Sequence, residues 1–251
     1  MPVFVRNGLE IAFIDEGEGE AILLIHGFGS NIETNWRGPG WVDLLVHAGY
    51  RVIALDNRGH GASSKLYDPA DYDTSLMAAD AAGLLGHLGI GRAIVMGYSM
   101  GARISAFLTL ARPDLVRALI LGGLGIRLVD GAGLPPSLAE AMEAPALADV
   151  SDPMGRMFRA FADQTRADRR ALAACIRGSR QTLRPDEVSR IVQPTLIAIG
   201  TRDSIAGSAS DLAVLMLNAQ VLDIEGRDHN PAVGDKQFKQ GVLAFLEGVE
   251  G

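Results

Sequence analysis

A serine flanked by two glycines is the pattern in this sequence that most directly suggests chemistry. Ser99 lies in the middle of Gly-Tyr-Ser-Met-Gly (97–101), a G-x-S-x-G motif. The apolar run before it (93–96) predicts a buried strand, and the apolar-periodic segment after it predicts a helix that Pro113 ends. A tight turn from strand to helix holds the central side chain above the strand end and tolerates almost no side chain two positions away on either side. The pattern therefore predicts a nucleophilic serine.

A serine hydroxyl is a weak nucleophile at neutral pH and needs a base beside it, which in turn needs an acid to orient it. Side chains that follow the carboxyl ends of parallel strands converge at one edge of a sheet, however far apart they are in sequence. His229 follows the last predicted strand and is the predicted base, and Asp203 follows the strand before it and is the predicted acid. Asp228 competes for the role of the acid, but neighbouring side chains in a turn usually diverge, which favours Asp203.

The reaction also needs hydrogen-bond donors directed at the oxyanion that develops on the substrate carbonyl. The backbone N–H of Met100, directly after the serine, is one predicted donor. The second is the backbone N–H of Phe28, because the glycines on both sides of it let the backbone approach a ligand closely. These two groups form the predicted oxyanion hole.

The elements that must position these residues alternate between strand and helix. A hairpin around Asn7-Gly8 opens the chain, since this dipeptide favours a type I′ turn. The later strands are apolar throughout, which is typical of a parallel sheet covered on both faces. Strands are predicted over 3–5, 9–14, 21–25, 51–55, 93–96, 118–121, 195–199 and 220–224, and helices over 41–48, 75–88, 104–111, 208–217 and 237–246.

The alternation is interrupted after residue 122. From there to about residue 190 the sequence has several Pro and Gly residues and helical segments, about 153–163 and 167–176, but no strand of the same quality. We interpret residues 123–190 as a helical cap inserted over the carboxyl edge of the sheet. Residues 1–122 and 191–251 then form the α/β core.

Composition limits the class of protein. The 251 residues are 48% hydrophobic and 21% charged, with a net charge of -7, and this length suits one α/β domain with an insertion. An acidic chain argues against nucleic acids and anionic membranes as partners, because both require a basic face. Cys175 is the only cysteine, which excludes an internal disulfide and a thiolate metal cluster.

The sequence has neither the pattern of an export signal nor that of a membrane span. The first residues lack a basic segment followed by an apolar stretch, and no apolar run is long enough to cross a bilayer, so a cytoplasmic location is the expectation. No His, Cys or Asp cluster has metal-ligand spacing, and the glycine-rich loops lack the residues of phosphate- or dinucleotide-binding motifs. We therefore expect no metal and no cofactor. The oligomeric state stays open.

Five motifs in this order resemble those of the α/β-hydrolase superfamily along nearly the whole chain. They are His-Gly-Phe-Gly (26–29), Asp-Asn-Arg-Gly-His-Gly (56–61), Gly-Tyr-Ser-Met-Gly (97–101), Gly-Thr-Arg-Asp (200–203) and Asp-His (228–229). The resemblance implies the α/β-hydrolase fold, with an eight-stranded, mostly parallel sheet flanked by helices and a small helical cap. It also implies a Ser-His-Asp hydrolase, closest to the esterase, enol-lactonase and carbon–carbon-bond hydrolase branches. For Arg58 and His60 it implies a structural role.

Two positions bear on the branch of the superfamily that this chain resembles. Dehalogenases and epoxide hydrolases of the superfamily use an aspartate at the centre of this strand-to-helix turn, so Ser99 disfavours those chemistries. The glycine that commonly precedes the histidine base is Asp228 here, followed after the histidine by Asn230 and Pro231. We expect this change to alter the loop without breaking the triad.

Substrate specificity is expected to come from the cap and from the loop after strand 21–25. Four large apolar side chains are predicted to line a substrate pocket: Trp36, Met157, Phe158 and Phe161. The competing interpretation is that these side chains only dock the cap on the core. Six arginines between residues 166 and 184 form a basic stretch, explained either by solvated helix faces or by one arginine that binds a substrate carboxylate.

The predicted reaction is hydrolysis of a carboxylic ester through an acyl-enzyme on Ser99, as in carboxylesterases. The predicted substrate is an ester or lactone of small to medium size. Lactonase, carbon–carbon-bond hydrolase and perhydrolase activities are alternatives on the same triad. A further alternative is a protein with this fold that binds a ligand but does not turn over a substrate, since a fold does not determine a function.

Overall fold

The fold is built around one eight-stranded sheet. The computed structural model describes residues 1–131 and 134–249. The strands are β1 (Val3–Arg6), β2 (Leu9–Glu16), β3 (Glu20–Ile25), β4 (Tyr50–Leu55), β5 (Ala93–Tyr98), β6 (Val116–Gly122), β7 (Thr195–Gly200) and β8 (Ala219–Ile224). They lie in the order β1-β2-β4-β3-β5-β6-β7-β8. The pairs β1–β2 and β2–β4 are antiparallel and all other neighbours are parallel, which confirms the predicted sheet.

The sequence accounts for both kinds of strand pairing. Asn7 and Gly8 have φ angles of 51° and 81° and form the predicted turn between β1 and β2. The strands from β3 to β7 are almost wholly buried, as their continuous apolar sequences require. At the edge of the sheet, β8 has three exposed residues among its six and only Ile224 is buried.

Helices cover both faces of the sheet. They are α1 (Trp41–His47), α2 (Thr74–His87), α3 (Met100–Ala111), α4 (Arg127–Asp130), α5 (Ser137–Glu143), α6 (Pro153–Gln164), α7 (Arg169–Gly178), α8 (Pro185–Val188), α9 (Ala209–Ala213), α10 (His229–Ala232) and α11 (Lys236–Val249). One buried apolar cluster joins the sheet to α2, α3 and the helices from α4 to α9, and the other joins it to α1, α10 and α11. Within the described residues, no helix combines the length and the apolar character that a membrane span requires.

The helix predicted over 208–217 is shorter in the structure. It ends at Ala213, and the next residues form tight turns in which Leu215 and Met216 bond to carbonyls three positions earlier. Val214 and Leu217 are exposed, so a longer helix would bury no additional apolar face. No sequence pattern predicts α4, α8 and α10, because helices of four residues are too short to show a period. The seven-residue α5 is likewise not predicted.

The five helices from α4 to α8, which we call the cap helices, lie between β6 and β7 in the segment predicted as a cap. The Asp152 side chain accepts a hydrogen bond from the Gly155 N–H and so caps the start of α6. α6 packs on the loop that follows β3. The rings of Phe28 and Phe158 lie 6.0 Å apart, and Thr165 Oγ1 donates a hydrogen bond to the Gly29 carbonyl at 3.2 Å.

Candidate active site

Ser99 occupies the turn between β5 and α3 in a conformation that few residues adopt. Its φ and ψ angles are 55° and -113°, outside the regions that a residue with a side chain ordinarily populates. A Cβ atom on Gly97 would lie 2.2 Å from the Gly101 carbonyl oxygen, and one on Gly101 would lie 1.9 Å from the Ile25 carbonyl oxygen. Both glycines are therefore required for the tight turn that projects Ser99 at the carboxyl end of β5.

A continuous chain of hydrogen bonds joins Ser99, His229 and Asp203. His229 Nε2 lies 2.9 Å from Ser99 Oγ, and His229 Nδ1 lies 2.7 Å from Asp203 Oδ2. A carboxylate only accepts hydrogen bonds, so the ring proton lies on Nδ1 and Nε2 accepts from the serine hydroxyl. In this tautomer Nε2 can take up the serine proton.

The loop after β7 fixes the Asp203 carboxylate. Its Oδ1 accepts hydrogen bonds from the Ile205 and Ala206 N–H groups at 2.8 and 3.0 Å. Burial raises the pKa of Asp203, but the hydrogen bond and charge of His229 and the two N–H groups outweigh burial and hold this pKa below its usual value. The side chain is therefore a carboxylate at neutral pH. Asp228, the competing acid, is exposed beside α10 and takes no part in this chain of hydrogen bonds.

Tyr98, the residue before the serine, contacts His229 in two ways. Its hydroxyl donates to the His229 carbonyl oxygen at 2.5 Å, and the two rings lie 5.6 Å apart. Burial raises the pKa of the Tyr98 hydroxyl, so the group keeps its proton and remains a donor. This contact is not among the predictions from the sequence, and a tyrosine adjacent to Ser99 is the one signal that could have suggested it.

The loop after β3 is held next to the serine by two buried side chains. Asn35, in a single π-helical turn, accepts a hydrogen bond through Oδ1 from the Gly27 N–H at 3.1 Å. His26 Nδ1 donates to the Gly27 carbonyl at 2.7 Å, and His26 Nε2 accepts from the Asn57 N–H at 2.9 Å. Both contacts fix the backbone immediately before Phe28. No sequence pattern predicts the role of Asn35.

Neither predicted oxyanion donor has a hydrogen-bond acceptor within the described part of the chain. Met100 is the first residue of α3, where an N–H group has no partner in its own helix. The Phe28 N–H likewise makes no hydrogen bond to the described residues. Both residues line a cavity together with Ser99. The structure therefore brings the two predicted donors to the nucleophile.

Two cavities open on Ser99. The first cavity, of about 250 Å³, lies between α3 and the cap helices, and Met100 and Met154 are among its lining residues. The second cavity, of about 170 Å³, is lined by His229 and Asn35. His229 does not line the first cavity. Among the described residues, no cluster of three His, Cys, Asp or Glu side chains is placed to hold a metal ion.

Two of the four predicted pocket residues line a cavity, and two do not. Phe158 and Phe161 line the second cavity. The prediction for Trp36 is wrong, because this side chain is fully buried in the cluster beneath α1 and α11, with its ring 6.4 Å from that of Trp41. The prediction for Met157 is also wrong, because it is 41% exposed and lines neither cavity. An apolar residue type suits a pocket, a core and a helix surface equally well.

The arginines at the first cavity are not those of the predicted basic stretch. Arg103 and Arg127 line this cavity, whereas none of the six predicted arginines lines either cavity in the described part of the chain. Arg177, one of the six, instead pairs with Glu143 at 2.6 Å on the surface. A sequence signal for Arg103 exists, since it follows Ser99 by four residues, which is one helical turn.

The loop after β4 makes structural contacts, as the resemblance to the superfamily implies. Arg58 Nε and Nη2 donate to the two carboxylate oxygens of Asp80 at 2.7 and 2.9 Å, and both side chains are buried. His60 is also buried, with its ring 5.2 Å from that of His26. Neither Arg58 nor His60 lines either cavity.

Comparisons with known proteins match this chain to one family. A family model described as the alpha/beta hydrolase fold matches residues 20–171. The chain is 27% identical to the non-heme chloroperoxidase CPO-A1 of Kitasatospora aureofaciens, over 98% of this chain and 99% of that protein. It is 35% identical to epoxide hydrolase 2 of Siraitia grosvenorii, over 45% of this chain and 35% of that protein. A solved structure of a hydrolase from Pseudomonas aeruginosa PA01 matches with a TM-score of 0.79 at 25% identity, over 98% of this chain and 97% of that one.

Proposed function

The chain belongs to the alpha/beta-hydrolase family, and from this premise we propose that it is a serine hydrolase that cleaves carboxylic esters of small to medium size. The observation that carries the proposal is the chain of hydrogen bonds from Asp203 through His229 to Ser99, which ends at a serine that opens on two cavities. Position 99 is a serine, so the nucleophile supplies a hydroxyl that forms an acyl-enzyme.

In the proposed acylation step, Ser99 Oγ attacks the ester carbonyl carbon while His229 Nε2 takes its proton. The tetrahedral intermediate then collapses, the bond from carbon to the alcohol oxygen breaks, and His229 returns the proton to the departing alcohol. Asp203 holds the Nδ1–H tautomer and stabilises the imidazolium that forms between these events. In deacylation, His229 takes a proton from water while the water oxygen attacks the carbonyl carbon of the acyl-enzyme. The bond from this carbon to Ser99 Oγ then breaks, His229 returns the proton to Ser99, and the acid product leaves.

The backbone N–H groups of Phe28 and Met100 are the proposed donors to the oxyanion of the tetrahedral intermediate. Both lie in rigid segments, one fixed through His26 and Asn35 and the other at the start of α3. Donors held in place before the reaction need no reorganisation as charge develops, and each is typically worth about 3 kcal/mol of the barrier.

A serine-directed organophosphonate tests this proposal. Intact mass measurement should find a single adduct on the wild type and none on Ser99→Ala or His229→Ala, because labelling requires both the nucleophile and its base. The wild type should also hydrolyse 4-nitrophenyl esters from a chain-length series, and Ser99→Ala should lose at least about 1,000-fold in kcat/KM. A folded wild type that takes up no adduct and hydrolyses no ester of the series contradicts the proposal.

A second candidate is transfer of the acyl group to hydrogen peroxide. The similarity to a protein named non-heme chloroperoxidase across nearly the whole length of both chains favours it. In this reaction the peroxide oxygen attacks the acyl-enzyme in place of water and a peracid leaves. Peracid formed from acetate and hydrogen peroxide by the wild type, but not by Ser99→Ala, would support it, and no peracid above the Ser99→Ala background would reject it.

A further inference from the structure

The charged side chains that line the first cavity all have the same sign. They are Arg103 and Arg127, and among the described residues no Asp or Glu lines this cavity. The protein as a whole is acidic, with a net charge of -7. The lining of the first cavity is therefore positively charged, whereas the chain as a whole is negatively charged.

Arg103 is the buried member of this pair, with only 5% of its surface exposed. Its guanidinium donates to four backbone carbonyl oxygens, those of Arg127 and Gly131 at 2.7 Å, Gln181 at 2.9 Å and Leu128 at 3.4 Å. Within the described residues, Arg103 Nε has no acceptor and no carboxylate pairs with the guanidinium. The side chain thus joins α3 to the cap helices while its charge stays uncompensated.

Backbone carbonyls satisfy N–H donors but do not neutralise a charge. Burial, and to a smaller extent the charge of Arg180, lowers the pKa of Arg103 to about 10, so the guanidinium is still protonated at neutral pH. A cation withdrawn from water without a counter-ion is unfavourable, and an anion in the adjoining space would relieve that cost. The first cavity is therefore electrostatically suited to an anionic group.

The positions of His229 and Arg103 indicate which half of a substrate the first cavity receives. His229 must return a proton to the leaving alcohol, and it lines the second cavity, so the alcohol leaves on that side. The acyl half then occupies the first cavity. The backbone N–H of Arg103 donates a hydrogen bond to the backbone carbonyl of Ser99 at 3.1 Å, so one turn of α3 separates the nucleophile from the arginine. Arg127, paired with Asp130 at 3.5 Å, approaches the same cavity from a partly exposed position.

We propose that the first cavity binds an acyl chain that ends in a carboxylate, with Arg103 and Arg127 as its counter-ions. This inference rests on the proposed serine-hydrolase function and narrows its substrate class to monoesters of small dicarboxylic acids. Arg103 has only its Nε–H left for the carboxylate, because both of its Nη groups donate to backbone carbonyls. The half-exposed guanidinium of Arg127 can present two donors, which suits the planar geometry of a carboxylate.

Matched pairs of methyl esters test the proposal. Monomethyl esters of dicarboxylic acids with four to seven carbons are compared with methyl esters of monocarboxylic acids of the same length, so each pair differs only in the terminal carboxylate. For the best-fitting length, the wild type should show a kcat/KM at least about tenfold higher for the anionic ester at low ionic strength. The ratio should fall when salt is raised, because ions screen the attraction.

Three arginine variants locate the effect. Arg127→Gln should lower the anionic-to-neutral ratio by about threefold, as expected for a partly exposed charge. Arg103→Gln should reduce the ratio to near one, and its melting temperature is measured in parallel because the variant also loses four hydrogen bonds. Arg190→Gln removes an exposed arginine outside both cavities and should leave the ratio unchanged.

The outcomes separate this inference from the proposed function. A wild type that hydrolyses the neutral esters and shows a ratio of one or less at every length overturns the carboxylate site alone. If no ester is hydrolysed and Ser99 takes up no phosphonate, the proposed function fails, and titration calorimetry with adipate then decides the site. Adipate binding that weakens in Arg127→Gln and is absent for adipamide supports the site, whereas no binding to the wild type rejects it.

Discussion

At the scale of single residues, His229 bonds to its two partners through opposite ring nitrogens, and only one tautomer makes both hydrogen bonds. Asp203 selects that tautomer because a carboxylate cannot donate. An amide at the same position can donate to Nδ1, which places the ring proton on Nε2 and blocks proton uptake from the serine. The direction of proton transfer in the proposed mechanism therefore depends on a single acceptor.

Asp203→Asn should lower kcat/KM for a 4-nitrophenyl ester by about 1,000- to 10,000-fold while the protein stays folded, because the amide keeps the shape and reverses the hydrogen bond. Steady-state kinetics and circular dichroism measure the two effects. Asp228→Asn is the matched control, since Asp228 is exposed one residue from the histidine and should be silent. Equal losses in both variants would contradict the assignment of Asp203 as the orienting acid.

Tyr98→Phe should lower the free energy of unfolding by about 1 to 3 kcal/mol, because it leaves the buried His229 carbonyl without its donor. The effect is measured by urea unfolding. Tyr67→Phe removes a hydroxyl that bonds to Asp168 at the surface, and this control should change stability by less than about 0.5 kcal/mol. If the two variants were equally stable, the contact between Tyr98 and His229 would be energetically unimportant.

The sequence predicts some site residues and not others for a physical reason. Ser99, Asp203 and His229 each follow a strand, and strand ends converge in a parallel sheet, so their positions in the chain carry the information. Asn35 and Arg103 instead act through backbone atoms of other segments, eight residues away for Asn35 and 78 residues away for one carbonyl partner of Arg103. No local pattern records which N–H or carbonyl they will meet.

At the scale of elements, the turn between β5 and α3 depends on the absence of two side chains. Gly101 lies where the carbonyl of Ile25, at the end of β3, would meet any Cβ atom at 1.9 Å. The turn between β5 and α3 therefore depends on the neighbouring strand as much as on its own backbone. Elements of this kind are predictable because a motif and a flanking period coincide, whereas the end of α9 depends on which apolar residues find a surface to pack on.

Gly101→Ala should destabilise the protein by at least about 2 kcal/mol and abolish phosphonate labelling, because the clash involves two backbone segments that cannot rotate away. Gly86→Ala is the matched control in an exposed part of α2 where a new Cβ atom meets nothing within 4 Å. That control should stabilise the protein by about 0.5 to 1 kcal/mol. Thermal unfolding measures the stability of both variants. A fully active Gly101→Ala would contradict the predicted clash with the Ile25 carbonyl.

At the scale of the whole molecule, the buried pair His26 and His60 links stability to pH. Burial lowers the pKa of His26 to about 4, and burial together with the charge of His26 lowers the pKa of His60 to about 3. In the unfolded chain both rings take up a proton near pH 6.5. Between these values the unfolded state binds more protons, so the free energy of unfolding falls as the pH drops below about 6.5. Asp203, with its lowered pKa, loses its contribution to the free energy of unfolding only at a more acidic pH than the range in which the two histidines act.

Urea unfolding between pH 7 and pH 4.5 should show a loss of up to about 1.4 kcal/mol per pH unit for each of the two buried histidines. His60→Gln should reduce this slope by about half, because glutamine keeps a donor for the Arg58 carbonyl but does not titrate. His47→Gln, which replaces an exposed histidine, should leave the slope unchanged. If the free energy of unfolding of the wild type were constant across this pH range, the two buried histidines would not couple stability to pH.

The pairing of β6 with β7 has a consequence for how this protein could acquire new substrates. Gly122 of β6 lies opposite Ala198 of β7, although the cap helices separate the two strands in the chain. The entropy of closing such an excursion grows only with the logarithm of its length, by about 0.6 kcal/mol for each doubling. Insertions and deletions between these strands therefore change the free energy of folding only slightly. Ser99, Asp203 and His229 all lie outside the segment between β6 and β7. Recombination within this segment is the economical route by which descendants of this chain could change what they bind and keep how they react.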